Sequence, residues 1–173
     1  PDLYQGTEFW DFSLVDPDNR RPVDWAARRD ALEAGLPPAE LLGDWRDGRV
    51  KQAVLFRALQ LRAAKPELFA EGAYQPLAVE GPRAANVLAF ARIHRGQAAL
   101  AVVTRLSAGI LGESGVPRVS PDVWRGTELV LPRVDAAREC CEAFTGTVLA
   151  GPSGRLPLGE VLAGLPVALL EVR

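Results

Sequence analysis

The sequence has no methionine and only one histidine, His94. A reading frame opens on methionine. A chain of 173 residues that contains none, and that begins Pro1-Asp2-Leu3, is therefore expected to be a fragment or processed product of a longer protein. With a single histidine, a two-histidine metal site and a self-contained Ser-His-Asp triad are both disfavoured. The segment Arg92-Ile93-His94-Arg95-Gly96 is expected to end a strand before a turn, with His94 facing solvent. The two cysteines, Cys140 and Cys141, are neighbours. Adjacent Cα atoms lie about 3.8 Å apart, whereas a relaxed disulfide needs roughly 4.4–6.8 Å. They are expected to be two reduced thiols in a strand of a cytosolic protein. There is no apolar run of about 18 residues to cross a membrane. No basic n-region precedes an apolar segment, so no signal peptide is visible. Twenty basic and 22 acidic residues give a net charge of −2, without the basic excess of a nucleic-acid binder. Hydrophobic residues at 48% and charged residues at 24% fit a globular chain forming one domain, or a small domain plus part of another.

Residues 1–25 lack a clean period and are punctuated by Gly6, Pro17, Asn19 and Pro22, so they are expected to be loop. Asp24 suits the N-cap of a helix over 25–34 that ends at Gly35. Pro37-Pro38 starts a short helix through Leu42. A longer helix over about 48–64 carries Val50, Val54, Leu55, Leu59 and Leu61 at helical spacing and stops at Pro66. One more turn ends at Gly72. From residue 73 the pattern changes to short strands: 77–80, 86–95, 97–105, 127–131, 140–145, 147–149 and 166–172. Arg95-Gly96 marks a hairpin. Residues 98–103 are continuously apolar, as in a central strand. Residues 107–126 look like loop, and 156–162 is ambiguous between strand and helix. The expected fold class is α+β, with loop and helices over 1–72 and an antiparallel β-sandwich over 73–173.

Two polar constellations stand out. In Asp16-Pro17-Asp18-Asn19-Arg20-Arg21-Pro22-Val23-Asp24, three carboxylates and two guanidiniums lie within nine positions. Spacing alone allows a salt-bridged surface loop or the lining of a polar pocket that faces sugar hydroxyls or a partner loop. In Tyr4-Gln5-Gly6-Thr7-Glu8, followed by Phe9-Trp10, aromatic rings sit beside amide and carboxylate groups, a pairing suited to carbohydrate or to a core. Lys51, at the start of the long helix, is read as a solvated helix residue or as one with a packing or pairing role.

These residues also resemble a known family. Pro1 to Glu8 resembles the end of the eighth barrel strand in the α-amylase superfamily, with its Tyr-x-Gly-x-Glu pattern. Glu8 through Asp24 is similar to the maltooligosyltrehalose synthase family in its particular wording. Asp47 to Gln52, Leu68 to Tyr74, Val87 to Arg92, Gly154 to Leu158 and Pro166 to Leu170 fit the same family. The resemblance implies the end of a (β/α)8 barrel followed by a C-terminal β-sandwich. It implies the C-terminal part of an enzyme that converts the reducing-end α-1,4 bond of a maltooligosaccharide into an α,α-1,1 bond. The retaining chemistry uses an Asp nucleophile, a Glu acid/base and a second Asp. The resemblance puts all three before Pro1, so no catalytic residue is assigned here and the chain alone is expected to be inactive. Pairing Glu8 with Asp16 or Asp18 as catalysts is disfavoured: retaining carboxyls lie about 5–5.5 Å apart, and neighbouring arginines keep carboxylates ionised.

Because active-site loops of such barrels lie at the C-terminal ends of the strands, Tyr4, Gln5, Glu8, Asp18, Asn19 and Arg20 are the substrate-side candidates. No metal or organic cofactor is implied. The expected partner is a maltooligosaccharide, met together with the missing barrel; no nucleic acid or membrane is expected. An apolar surface where a barrel would pack could drive self-association. Two other readings remain open. One is an autonomous carbohydrate-binding module, which would need Trp10, Trp25, Trp45 and Trp124 as an exposed platform. The other is a part of a different α-amylase-superfamily hydrolase.

Overall fold

The computed structural model describes residues 3–132, 139–151 and 154–172. Pro1 and Asp2, which open the Tyr-x-Gly-x-Glu block, lie outside them, as does Arg173. Residues 3–17 form no strand, although the family resemblance implies the end of one at Pro1 to Glu8. A 3-10 turn follows at Asp18–Arg20. Helix α1 spans Trp25–Ala34; the Asp24 carboxylate accepts the Ala27 N–H, and Gly35 ends it in the left-handed region. A short α2 (Pro38–Leu41) and a kinked 3-10 segment (Leu42–Asp47) lead to Gly48 at φ 86 and then to α3 (Arg49–Ala64). Pro66 opens α4 (Pro66–Ala70).

Among the described residues nine strands follow: β1 Ala73–Pro76, β2 Val79–Glu80, β3 Val87–His94, β4 Gln97–Thr104, β5 Glu128–Val130, β6 Glu139–Glu142, β7 Val148–Ala150, β8 Arg155–Pro157 and β9 Val167–Val172. Their pairings are antiparallel. Six strands form one sheet in the order β1-β3-β4-β9-β6-β7, and three form another in the order β2-β5-β8. The β3–β4 hairpin turns on Arg95 (φ 48) and Gly96 (φ 80), the two positive values that a two-residue turn of matching twist requires.

Alternation along the strands sorts side chains into two layers. Ala89, Ala91, Leu100, Val102, Ala168 and Leu170 point from the six-stranded sheet into a core shared with Leu129 of β5 and Leu156 of β8. Trp124 and a helical turn, α5 (Leu158–Val161), help fill it. On the other face, Val167 and Leu169 of β9 pack with Leu41, Leu42, Val50, Phe144 and Leu165. This second cluster bolts α2 and α3 to the sheet. The molecule is therefore layered: small sheet, large sheet, helices.

The differences from expectation have local causes. The strand expected over 77–80 is shortened to Val79–Glu80, which joins the small sheet, and a strand that was not expected, over 73–76, pairs with β3. The strand expected over 140–145 stops at Glu142, whose buried carboxylate accepts the amides of Phe144 and Thr145 and bends the chain. The ambiguous 156–162 stretch is a strand end followed by a helical turn. His94 does not face solvent. Its side chain is 18% exposed, and Nε2 sits 3.9 Å from Glu67 and 3.8 Å from Glu71, across from α4. Cys140 and Cys141 are free, on β6 as expected.

Candidate functional site

The turn that carries the first candidates depends on Gly6. Its φ of 95 favours glycine, and a Cβ there would lie 2.7 Å from Cγ2 of Val23. The Thr7 amide and hydroxyl both bond the Tyr4 carbonyl, at 3.2 and 2.7 Å, while the Gly6 N–H reaches Glu8 Oε1 at 3.1 Å. Tyr4 and Gln5 are left at the exposed tip.

Two cations hold this turn from behind. Arg28 of α1 donates to Glu8 Oε2 at 3.1 Å, to the Gly6 carbonyl at 2.6 Å and to the Asp24 carbonyl at 3.0 Å. Its guanidinium also lies 4.8 Å from the centre of the Phe9 ring. Lys51, from the first turn of α3, donates to the carbonyls of Thr7 at 2.7 Å and Phe9 at 2.9 Å. Gln52 is buried and bonds the Arg28 carbonyl at 3.0 Å, tying α3 to α1. Burial pushes the Glu8 carboxyl upward, but the amides of Glu8 and Gly6, and then Arg28, hold it below the usual carboxylate range. Glu8 is thus a fixed anion rather than a proton donor at neutral pH.

The second constellation forms a salt-bridged surface loop around a cis Asp16–Pro17 bond. Arg20 pairs with Asp16 and Arg21 with Asp18, whose other oxygen accepts the Leu14 N–H at 2.9 Å. Asn19 and Arg20 are exposed. Among the described residues, no hydrogen bond or ion pair joins Asp18, Asn19 or Arg20 to Tyr4, Gln5 or Glu8. The six candidates therefore form two separately held groups.

Tyr4, Gln5 and Glu8 border a groove of about 620 Å3, whose floor is apolar: Leu32 of α1 with Leu55 and Leu59 of α3. It continues past Leu3, Leu55 and Leu59 into a second groove of about 770 Å3 against Tyr74, Phe90 and Leu169. A separate depression of about 760 Å3 in the 107–126 region is lined by Arg83, Ser114 and Arg118 and by no carboxylate or aromatic ring. Trp124 is 1% exposed, so the four tryptophans do not make one platform. Among the described residues no group of three His, Cys, Asp or Glu could hold a metal ion, and no helix is long and apolar enough to cross a membrane. The residues that sequence reasoning left out of the site are Arg28, Gln52 and Trp45. Lys51 was signalled by its place in the Asp47–Gln52 block; Arg28 carries no local signal for its contacts with Glu8 and Gly6, which lie 20 and 22 positions away.

No family profile matches the chain. It is 42% identical over 170 residues, 98% of its length, to proteins of two Mycobacterium tuberculosis strains provisionally named maltooligosyl trehalose synthase. Among solved structures, a variant of maltooligosyltrehalose synthase from Arthrobacter ramosus matches the whole chain with a TM-score of 0.73 and 38% identity. The chain spans 18% of the length of the mycobacterial proteins and 20% of the solved one.

Proposed function

The chain is related over nearly its whole length to one stretch of the maltooligosyltrehalose synthases, and we propose that it is the C-terminal part of such an enzyme. The parent rearranges the reducing-end α-1,4 bond of a maltooligosaccharide to an α,α-1,1 bond. Residues 1–72 belong to the end of its barrel and 73–173 to a β-sandwich domain. The observation that carries this reading is 42% identity across 98% of this chain against 18% of the relatives. The ionised Glu8 and the surface-bound Asp16 and Asp18 support leaving the catalytic carboxylates to the rest of the parent. Tyr4 and Gln5 at the exposed tip, with Asp18, Asn19 and Arg20 on the neighbouring loop, form this chain's share of the substrate-side wall, and Glu8 braces it. The apolar grooves along α3 are the face that the remainder of the parent covers. Left bare, that face drives self-association. We read the parent as cytoplasmic, which two free thiols support.

The test is turnover of maltopentaose by this chain and by its full-length parent, with non-reducing product read against released glucose. The parent is expected to make a trehalosyl-ended product and the chain alone none. Turnover by the chain alone would put the catalytic groups within these 173 residues.

A further inference from the structure

Among the described residues, a polar connection from the β domain toward the barrel-end loop runs through two tryptophans. Trp45 lies in the 3-10 segment before α3. Its indole N–H donates to the Gly115 carbonyl at 2.9 Å, in the long loop after β4. Its own carbonyl accepts the indole N–H of Trp10. The two rings meet edge to face, with centroids 6.3 Å apart and planes at 78°. Arg46 lies over the Trp45 ring at 4.8 Å. Trp45 and Val116 both pack on the cluster that joins the helices to the large sheet.

From Trp10 the connection continues without a gap. Lys51 Nζ lies 5.6 Å from the Trp10 ring centre and bonds the carbonyls of Thr7 and Phe9. Gly48 (φ 86) lets the backbone of Phe9 and Trp10 press against α3, since a Cβ there would be 2.7 Å from the Trp10 nitrogen. The turn bearing Tyr4 and Gln5 begins at Tyr4, three residues before Thr7. A hydrogen bond from a loop of the β domain is therefore linked, through groups in direct contact, to the segment assigned to the substrate-side wall.

We propose that Trp45 is a positioning residue through which the β domain fixes the orientation of the Tyr4–Trp10 segment, so that this domain bears on the reaction as well as on stability. The proposal rests on the functional reading above. It predicts that the bond to Gly115, and not merely the bulk of the ring, matters. Trp45→Phe keeps an aromatic ring against Trp10 and removes the one N–H that reaches Gly115. Trp45→Ala removes both.

Two measurements separate this proposal from the functional reading. In the 173-residue chain, amide hydrogen exchange needs no activity. Trp45→Phe should speed exchange at residues 6–10 and 114–116 by tenfold or more, with the β3–β4 hairpin unchanged; unchanged exchange at 6–10 overturns the proposal. In the full-length parent, Trp45→Phe should lower kcat on maltopentaose at least fivefold and raise the share of released glucose. KM and Tm should stay close to the parent values, and Trp45→Ala should lower Tm as well. Wild-type kcat and product partition in Trp45→Phe overturn it. So does a kcat loss that disappears on cooling below a lowered Tm, because a purely structural residue behaves that way. If the unaltered parent makes no trehalosyl-ended product, the functional reading fails, while the exchange experiment still decides whether Trp45 holds the segment.

Discussion

Glu8 and Arg28 show how firmly the fold holds a carboxylate that the sequence offers as a substrate-side candidate. The pair is partly shielded, at 25% and 15% side-chain exposure, and Arg28 also satisfies two backbone carbonyls. Hydrogen bonds to charged groups contribute roughly 1.5–3 kcal/mol each where shielded. Arg28→Met should therefore cost about 2–3 kcal/mol in urea unfolding, and a loss below about 0.5 kcal/mol would mean that Arg28 does not brace the turn. The pH dependence follows from the depressed Glu8 carboxyl. Its contribution is fully present above the ordinary unfolded carboxylate value near 4.5 and is lost as pH falls through the lower folded value. Wild type should lose more stability than Glu8→Gln between pH 6 and pH 3, and parallel curves would contradict this. The cysteines diverge in the same residue-by-residue way. Burial in the shared core pushes the Cys140 thiol up to about 11, while Cys141 is only half-buried. Iodoacetamide at pH 8 should label Cys141 and spare Cys140 in the folded chain, as peptide mass mapping would report. Neither the Glu8–Arg28 pair nor the unequal burial of the cysteines was legible in the sequence. Lys51 read by itself as a solvated helix residue, with a packing or pairing role raised by the family resemblance around it, and Arg28 found its partners Glu8 and Gly6 only through the packing of α1 against the loop.

Elements were legible where a local signal outweighed context. Asp24 and Gly35 bound α1 within the chain itself, and Arg95-Gly96 announced the β3–β4 hairpin. Elements were illegible where tertiary pairing decided. All four residues of β1 are exposed, so no alternation marked them, and the chain changes sheets between Pro76 and Val79. At β8–α5, Leu156, Leu158 and Leu162 are all buried, a spacing that fits either period. Two glycines with similar backbone angles separate conformation from space. Gly96 (φ 80) has nothing within 4 Å of an added Cβ, whereas Gly48 (φ 86) has the Trp10 nitrogen at 2.7 Å. Gly96→Ala should cost about 1–2 kcal/mol, the backbone term alone. Gly48→Ala should cost more, because the Phe9–Trp10 backbone must also move away from α3. Equal losses in thermal unfolding would mean that the close approach at Gly48 relaxes freely.

At the scale of the whole molecule, the uneven cover of the large sheet is what ties fold to function. Its inner face is closed by the small sheet and Trp124, while its outer face is only partly covered by α2, α3 and α4. Beside the gap, Phe56 is 44% exposed and Leu59 40%, and the open grooves share Leu3, Leu55 and Leu59. A contiguous apolar strip of this kind is unusual on a stable monomer and marks a surface that something covers. If that cover is the rest of the parent enzyme, one pair of substitutions has opposite consequences in the two contexts. Phe56→Glu with Leu59→Lys should leave the isolated chain within about 0.5 kcal/mol of its starting stability, because both side chains already meet water there. The same change should abolish any concentration-dependent rise in sedimenting mass. In the parent, where the side chains would be buried, it should cost roughly 2–4 kcal/mol, since covering a large apolar side chain contributes roughly 1.5–3 kcal/mol. A parent enzyme unmoved by the double change would leave this face uncovered in the whole protein. The grooves along α3 would then need another explanation.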